Sequence, residues 1–197
     1  MTALRDKQAW IFDLDGTLTE PVHDFAHIRQ ALGMAPEADI LATIAAQPEP
    51  IRRTTMKRLD ELERHYAAQA RPAMGLLPCL QRLQAQGCRL GILTRNSREL
   101  ALLSLDAIGA AQFFDPKDVL GRDEVDPKPA PDGIKYLLNQ WDIGFRKAVM
   151  VGDFHFDLLS GRAAGVTTVH VDPADRHWPE VTDYRLQRLD ELLRLLD

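Results

Sequence analysis

The sequence has few of the residues on which disulfide-rich and cysteine-based metal proteins depend. It contains only two cysteines, Cys79 and Cys88, and their separation is not that of a paired metal-binding motif. Both lie in a stretch that is predicted to be helical, where thiols commonly pack as small hydrophobic groups. We therefore expect two buried, inert thiols in a protein of the reducing cytoplasm.

Long apolar runs and an excess of positive charge are also absent. No run approaches the roughly 20 apolar residues of a membrane-spanning helix, and residues 1–7 lack the apolar region of a signal peptide. The formal net charge is -5, with 24 Lys and Arg against 29 Asp and Glu, whereas nonspecific nucleic-acid binding depends on many cations. These absences predict a cytoplasmic protein without membrane or nucleic-acid partners, and they leave its oligomeric state open.

The 197 residues can form one hydrophobic core, or a core with a small accessory unit. Predicted strands and helices alternate along most of the chain, which is typical of a parallel sheet covered on both faces. We therefore predict an α/β fold with a doubly wound, Rossmann-like parallel sheet. The predicted strands are 8–13, 89–93, 148–151 and 167–171, with a short further strand at 113–114. The predicted helices are 76–86, 97–108, 131–141, 157–164 and an amphipathic closing helix at 185–196.

The segment 22–70 interrupts this alternation. It has helical periodicity but no convincing strand, and the helix after Pro50 carries apolar residues at spacings of three, three and four. Two or three helices fit the segment. We expect residues 1–20 and 72–197 to form the main unit and residues 21–71 to form a small helical cap inserted after the first strand.

The most informative stretch is Asp13-Leu14-Asp15-Gly16-Thr17, which directly follows the apolar run 9–12. A carboxylate at the edge of a core costs several kcal/mol unless it is paired, hydrogen-bonded or bound to metal. Asp13 and Asp15 share a face in an extended chain, and Gly16 permits a sharp turn close to a ligand. The stretch fits a nucleophile beside an acid/base, although an Asp-Gly turn closing a hairpin fits it too.

Three further groups of polar residues follow later strands or lie between them. Thr94-Arg95-Asn96 follows the strand 89–93, Gly152-Asp153 follows 148–151 with Asp157 four residues on, and Lys128 lies among three prolines. Each has an ordinary interpretation as a helix start or a solvated loop charge. In an open parallel sheet, however, ligands bind beyond the carboxyl ends of the strands. We therefore expect these groups and Asp13 to form one site.

In these motifs the chain resembles the haloacid dehalogenase superfamily, most of whose members are phosphatases that form an aspartyl-phosphate. The stretch 13–17 resembles its first motif, Thr94 its second, Lys128 its third and the stretch 152–157 its fourth. The resemblance runs from Trp10 to about Val171 and indicates the subgroup with a helical cap, similar to phosphoglycolate phosphatases. Haloacid dehalogenases proper lack the second aspartate of the first motif. The presence of Asp15 therefore favours phosphoryl chemistry over cleavage of a carbon-halogen bond.

The resemblance implies a role for each matching residue. Asp13 is the expected nucleophile, Asp15 the acid/base, and Thr94 and Lys128 the groups that neutralise the transferred phosphoryl group. Mg²⁺ is the expected cofactor, because it prefers hard oxygen ligands. Its expected ligands are Asp13, the main-chain carbonyl of Asp15, and Asp153, with Asp157 orienting the metal shell and Lys128. The expected phosphate-binding residues are Leu14, Gly16, Thr94, Arg95, Asn96 and Lys128.

Some candidate substrate contacts have no motif to support them. His23, near the start of the insert, is positioned to line the interface between cap and core. Arg52 and Arg53 belong to a basic run on a predicted cap helix, and such a run is most often a solvated face. We retain all three as candidate substrate contacts.

These observations predict a Mg²⁺-dependent phosphomonoester hydrolase of a small phosphorylated metabolite, such as a phosphoglycolate-like compound or a sugar phosphate. A phosphomutase or phosphotransferase of the same superfamily is an alternative, in which a second hydroxyl replaces water. A non-catalytic phosphate-binding module is another, although the complete set of acidic and basic residues argues against it. A receiver-type signalling domain also carries an aspartyl-phosphate, but the long helical insert speaks against that interpretation.

Overall fold

The structure, a computed structural model, describes residues 3–174 and 176–196. Within that part of the chain, six parallel strands form one sheet in the order β3-β2-β1-β4-β5-β6. The strands are β1 (Ala9–Phe12), β2 (Arg89–Leu93), β3 (Val119–Leu120), β4 (Ala148–Gly152), β5 (Thr167–Val171) and β6 (Tyr184–Leu186). The predicted doubly wound parallel sheet is confirmed.

Seven α-helices accompany the sheet in the described residues. Three of them lie in the insert, namely α1 (Phe25–Ala31), α2 (Ile40–Ala45) and α3 (Ile51–Ala67). The other four alternate with the strands and are α4 (Leu76–Ala85), α5 (Arg98–Ala107), α6 (Asp132–Trp141) and α7 (His155–Ala164). None of these helices is long and apolar enough to cross a membrane.

The central strand β1 shows why the sheet needs helices on both faces. Its four residues are all buried, and successive side chains point to opposite faces of a strand. Trp10 and Phe12 join the larger apolar cluster with α4 and α5, whereas Ala9 and Ile11 join the cluster with α6. Because strand β1 lies between β2 and β4, its carboxyl end opens at the middle of the sheet.

The insert has a small apolar cluster of its own, centred on the fully buried Ile28, Ile44 and Leu59. An isolated antiparallel bridge between Thr19 and Pro72 joins the two chain segments that lead into and out of it. This bridge lies next to the expected boundaries at 20/21 and 71/72. The division into a core of 1–20 and 72–197 and a cap of 21–71 stays a prediction.

Two predicted elements are wrong. Phe113 and Phe114 do not form a strand, because they pack against the apolar cluster beside α4 and α5 and a short 3-10 helix ends at Phe113. The neighbouring strand is β3, which pairs with the end of β2. The closing α-helix at 185–196 is instead strand β6 followed by a 3-10 helix, Leu189–Leu195. The three-residue spacing of its buried leucines matches a 3-10 turn better than an α-helical one.

Smaller differences concern helix α7 and the cysteines. Helix α7 begins at His155, two residues before its predicted start. Cys79 is buried in α4, and burial raises the pKa of its thiol to about 12. Cys88, predicted to be helical, lies between α4 and β2 and is only partly buried. Burial raises the pKa of the Cys88 thiol as well. Both raised pKa values favour the neutral thiol over the reactive thiolate.

Ion pairs join the insert to the rest of the protein. The buried guanidinium of Arg122, which follows β3, donates to the Glu63 carboxylate at 2.9 Å and to that of Asp60, both on α3. Arg95, which follows β2, pairs with Asp39 at 2.5 Å. Burial raises the pKa of Glu63 to about 7, although Arg122 opposes that rise. The interface between insert and core therefore contains a carboxyl group that titrates near neutral pH.

Glu63→Gln is expected to remove a pH-dependent loss of stability. Because the pKa of Glu63 lies at about 7 in the folded protein, above its ordinary value of 4.5, the folded state binds more protons in that window. The free energy of unfolding therefore falls as the pH rises through it. Glutamine does not ionise, so the variant should gain stability relative to wild type between pH 5 and pH 8, by roughly 3 kcal/mol at most.

Urea unfolding at pH 5 and pH 8 measures this change. Glu61→Gln, at an exposed position of the same helix that pairs with Arg58, is the matched control and should show little difference between the two pH values. A stability difference between Glu63→Gln and wild type that is the same at both pH values would contradict the assigned titration.

Candidate active site

The carboxyl end of β1 turns sharply, so that the first motif wraps around one main-chain carbonyl. The amide of Asp13 still donates to Val151 of β4 at 2.9 Å. The Leu14 carbonyl then accepts hydrogen bonds from the amides of residues 17, 18 and 19 at 3.0–3.3 Å. Gly16 has a φ of +90°, and a Cβ atom there would lie 2.9 Å from Asp153 Oδ2. A glycine is therefore needed both for the turn and for the close approach of Asp153.

Lys128 is at the centre of the site. Its side chain is 2% exposed, and Nζ lies 2.5 Å from both Asp13 Oδ1 and Asp157 Oδ1. Asp157 is in the first turn of α7, and its other carboxylate oxygen accepts the amide of Phe154 at 3.0 Å. One buried ammonium thus connects the end of β1 with the start of α7.

Burial affects the pKa values of both Asp13 and Lys128. Burial raises the pKa of Asp13 well above its ordinary value, and repulsion from nearby aspartates adds to the rise while Lys128 opposes it. Burial by itself lowers the pKa of Lys128, but the attraction of Asp13 and Asp157 outweighs it and raises that pKa. The ammonium therefore stays charged, and the ionised form of Asp13 needs further positive charge beside it.

The acidic residues provide a place for that charge. Carboxylate oxygens of Asp13, Asp153 and Asp157 all lie within 4.8 Å of one another. Burial, followed by repulsion from Asp157, raises the pKa of Asp153 to about 7. Among the cations of the described residues, the three clustered carboxylates face only Lys128 and the more distant Arg176, which lies 3.4 Å from Asp153. Together they make a donor set of hard oxygens. This set fits a divalent cation such as Mg²⁺.

The second motif follows β2 at the same edge of the sheet. Thr94 and Asn96 are both buried, and the Asn96 amide donates to Thr94 Oγ1 at 3.0 Å. This bond uses an acceptor position of the hydroxyl, so that its hydrogen can still be donated to a ligand oxygen. The Arg95 guanidinium turns away towards the insert, where it pairs with Asp39 and donates to the Lys128 carbonyl at 2.7 Å. Its main-chain amide stays a candidate phosphate donor.

Asp15 lies against the insert. Its Oδ1 atom is 3.3 Å from His23 Nδ1, and none of Asp15 Oδ1, His23 Nδ1 and His23 Nε2 has a hydrogen-bond partner in the described part of the chain. The imidazole of His23 packs against Phe25 and Tyr66, with ring centroids 5.7 and 5.1 Å away. A polar atom on a ligand or water can therefore satisfy this carboxylate.

A cavity of 360 Å³ opens in front of these groups. Among the predicted site residues it brings together Asp13, Asp15, His23, Thr94, Arg95, Asn96, Lys128, Asp153 and Asp157. Leu14 is fully buried, and Gly16 lies behind Asp153. Arg52 and Arg53 do not line the cavity. Both are exposed on α3, and Arg52 pairs with Glu49 at 2.9 Å, so their position gives no support to their predicted substrate contact.

The sequence interpretation missed two cations of the cavity, Arg29 and Arg176. Arg176 follows β5, and its Nε donates to Asp172 at 2.9 Å. It could have been found by the strand-end argument that found Thr94 and Asp153, applied to one more strand. Arg29 is in the short helix α1 of the insert, where no sequence signal separated it from other surface arginines.

Comparison with known proteins identifies the family. Residues 10–171 match the model of the haloacid dehalogenase-like hydrolases. The chain is similar to the pyrophosphatase PpaX of Halalkalibacterium halodurans, with 28% identity over 94% of this chain and 95% of the relative.

Two solved structures have the same overall fold. One is a HAD phosphatase from Thermococcus onnurineus, with a TM-score of 0.70, 25% identity, and coverage of 96% of this chain and 97% of that chain. The other is CbbY from Rhodobacter sphaeroides in complex with phosphate, with a TM-score of 0.77, 22% identity, and coverage of 97% and 99%. The predicted family and the predicted phosphatase class of enzyme are confirmed. The chain belongs to the haloacid dehalogenase-like hydrolase family.

Proposed function

We propose that the protein is a Mg²⁺-dependent phosphomonoester hydrolase that forms an aspartyl-phosphate on Asp13. The observation that carries the proposal is the buried Asp13 carboxylate, held at 2.5 Å by Lys128 and within 4.8 Å of Asp153 and Asp157. This carboxylate lies at the open end of a strand, and one lysine does not balance the charge of the acidic cluster around it. Such a group suits attack on phosphorus once a second cation is bound. The substrate is a small phosphorylated metabolite that fits the 360 Å³ cavity.

Asp13 and Asp153 are the side chains that would hold Mg²⁺, with the main-chain carbonyl of Asp15, and Asp157 would orient the metal shell and Lys128. When bound, the ion supplies Lewis-acid polarisation of the phosphoryl oxygens and shields the negative charge of the nucleophile. The three clustered carboxylates and the raised pKa of Asp153, about 7, support this assignment.

The reaction has two halves. Asp13 Oδ attacks phosphorus, the bond from phosphorus to the ester oxygen breaks, and Asp15 gives its proton to the leaving alkoxide. Asp15 then takes a proton from water as that water attacks the aspartyl-phosphate, which releases inorganic phosphate and regenerates Asp13. The Oδ1 atom of Asp15 supports this role, because it makes no hydrogen bond in the described chain although His23 Nδ1 lies 3.3 Å away.

Thr94 and Lys128 stabilise charge on the phosphoryl oxygens. Thr94 has a free hydroxyl hydrogen, and the Lys128 ammonium is fixed by two carboxylates at 2.5 Å, so little reorganisation is needed as charge develops. The main-chain amides of Leu14 and Arg95 would complete the predicted phosphate cradle. The amides of Gly16 and Asn96, also predicted for it, already donate to Thr19 Oγ1 at 3.2 Å and to Thr94 Oγ1 at 3.0 Å. The helical insert 21–71 covers the site and keeps bulk water from the first transfer.

Asp13→Asn is expected to abolish turnover, because an amide is neither an anionic nucleophile nor a good ligand for Mg²⁺. Release of phosphate from a generic aryl phosphate with Mg²⁺ should fall by several orders of magnitude. EDTA should abolish the wild-type rate. Asp106→Asn, an exposed position on α5, controls for the substitution itself. Near-wild-type kcat in Asp13→Asn would refute the proposed nucleophile.

Asp15→Asn should stop the reaction half way. The nucleophile remains, and an aryl phosphate has a leaving group that needs little protonation, so the aspartyl-phosphate forms but water is not activated. Rapid acid quenching followed by intact-mass measurement should find a phosphorylated protein in this variant and much less in wild type. Normal steady-state turnover with no trapped phosphoenzyme would rule out this role.

Asp153→Ala should raise the Mg²⁺ concentration needed for half-maximal activity at least about tenfold, because it deletes a metal ligand. Thr94→Ala is the comparison and should leave that concentration nearly unchanged while it lowers kcat/KM. An identical Mg²⁺ dependence in Asp153→Ala and wild type would place Asp153 outside the metal shell.

Lys128→Ala should lower kcat/KM by about 10²–10³, the effect of losing one preorganised donor.

A further inference from the structure

The cavity has two chemically different ends. The nucleophile end is lined by the acidic cluster and Lys128, whereas the wall beyond it is mostly apolar. That wall comes from both sides of the cleft and consists of Phe25, Ile40, Leu41 and Leu59 of the insert and Phe154 and Phe156 of the core. The second group of a substrate can lie against these side chains, although Arg29, Asp39 and Glu63 line the cavity as well.

The aromatic residues of this wall are unusually accessible. Phe25 is 45% exposed and Phe154 is 41% exposed, which places both among the most exposed large apolar side chains of the described chain. Neighbouring side chains hold these rings in place. His23 stacks on Phe25 at a centroid distance of 5.7 Å, and Phe154 packs edge-on against Phe156 and Trp178 at 5.3 and 5.6 Å. Arg176 and Arg95 lie over the rings of Phe154 and Phe156, at 5.6 and 4.6 Å from their centres. Fixed, exposed rings beside a reactive carboxylate form a surface that a flat apolar ligand can cover.

The cations of the cavity are already neutralised, with one exception. Lys128 is held by Asp13 and Asp157, Arg95 by Asp39, and Arg176 by Asp172 and Asp153.

Arg29 is the exception in the part of the chain that the structure describes. It meets no carboxylate there, and its Nε donates to the Ala38 carbonyl at 2.9 Å. A planar guanidinium can stack on a ring as well as bind an anion.

From this arrangement we infer that the alcohol part of the substrate is an uncharged group with a flat apolar ring, bound between Phe25 and the pair Phe154–Phe156. The inference rests on the proposed phosphomonoester hydrolysis and replaces the phosphoglycolate-like leaving group with an aryl-bearing one. A second anionic group on the substrate would meet a wall of apolar side chains and arginines that are mostly paired.

The size of the cavity agrees with this assignment. Its 360 Å³ lies near the lower end of the roughly 300–1,000 Å³ that is typical of ligand pockets. The phosphoryl group occupies the acidic end, which leaves space for about one ring system. The ring stays on the leaving alcohol during the reaction, so that the products are inorganic phosphate and an aryl-bearing alcohol protonated by Asp15.

The test compares four phosphate compounds with wild-type enzyme and Mg²⁺: benzyl phosphate, ethyl phosphate, phosphoglycolate and pyrophosphate. The first three are esters of primary alcohols, so differences in kcat/KM among them report mainly on binding of the alcohol part. We expect kcat/KM for benzyl phosphate to exceed that for ethyl phosphate and for phosphoglycolate at least about tenfold, within the discrimination that apolar pockets achieve.

Two variants locate the effect. Phe25→Ala and Phe156→Ala should each reduce the benzyl-to-ethyl ratio of kcat/KM at least threefold, about 0.7 kcal/mol. Phe145→Ala is the matched control, because Phe145 is 50% exposed but precedes β4 at the opposite end of the strands. It should leave the ratio unchanged.

The outcomes separate the two proposals. Faster hydrolysis of phosphoglycolate or pyrophosphate than of benzyl phosphate overturns the aryl assignment but leaves the proposed hydrolase intact. Loss of that anionic preference in Arg29→Gln would then assign the subsite to an anion. A benzyl-to-ethyl ratio near one, or an unchanged ratio in both phenylalanine variants, also overturns the aryl assignment. Absence of Mg²⁺-dependent hydrolysis of all four compounds overturns both proposals.

Discussion

The buried ammonium of Lys128 is the interaction on which the rest of the site depends. A charge without solvent is stable only when it is paired and hydrogen-bonded, and Lys128 meets both needs through Asp13 and Asp157. Satisfying it fixes the end of β1 against the start of α7. That closeness also explains Gly152, because a Cβ atom there would lie 2.2 Å from the Asp157 Cβ. One ion cluster therefore determines which small residues the neighbouring turns require.

The same cluster has more negative charge than Lys128 can balance. Asp153 lies within 4.8 Å of the other two carboxylates, and burial, followed by repulsion from Asp157, raises its pKa to about 7. A divalent cation held by these carboxylates would relieve their mutual repulsion. The repulsion within the carboxylate cluster and its suitability for a cation thus have one electrostatic origin.

The sequence predicted best what depends on local pattern. Strands β2 and β5 have their predicted bounds, because each is a short segment between two predicted helices in the alternating pattern. The predicted site residues at strand ends line one cavity, because sheet topology brings those ends together. The contacts of Arg122 with α3 and of Arg176 with Asp153 were not predicted, because they join distant segments and depend on the direction of long side chains. The basic run at Arg52 and Arg53 lies outside the cavity on an exposed part of α3, and charge in sequence does not show which helix face meets solvent.

Arg95 connects chemistry and selectivity in one side chain. Its guanidinium donates to the Lys128 carbonyl, pairs with Asp39 of the insert and lies 4.6 Å from the centre of the Phe156 ring. The loop that carries the central cation, the insert that covers the site and the aromatic wall therefore share one contact. If the insert moved and broke the pair with Asp39, the Arg95 guanidinium would lose one of the contacts that hold it against Phe156 and the Lys128 loop. The pair of Arg95 with Asp39 therefore links the position of the insert to the Phe156 ring and to the loop that carries Lys128.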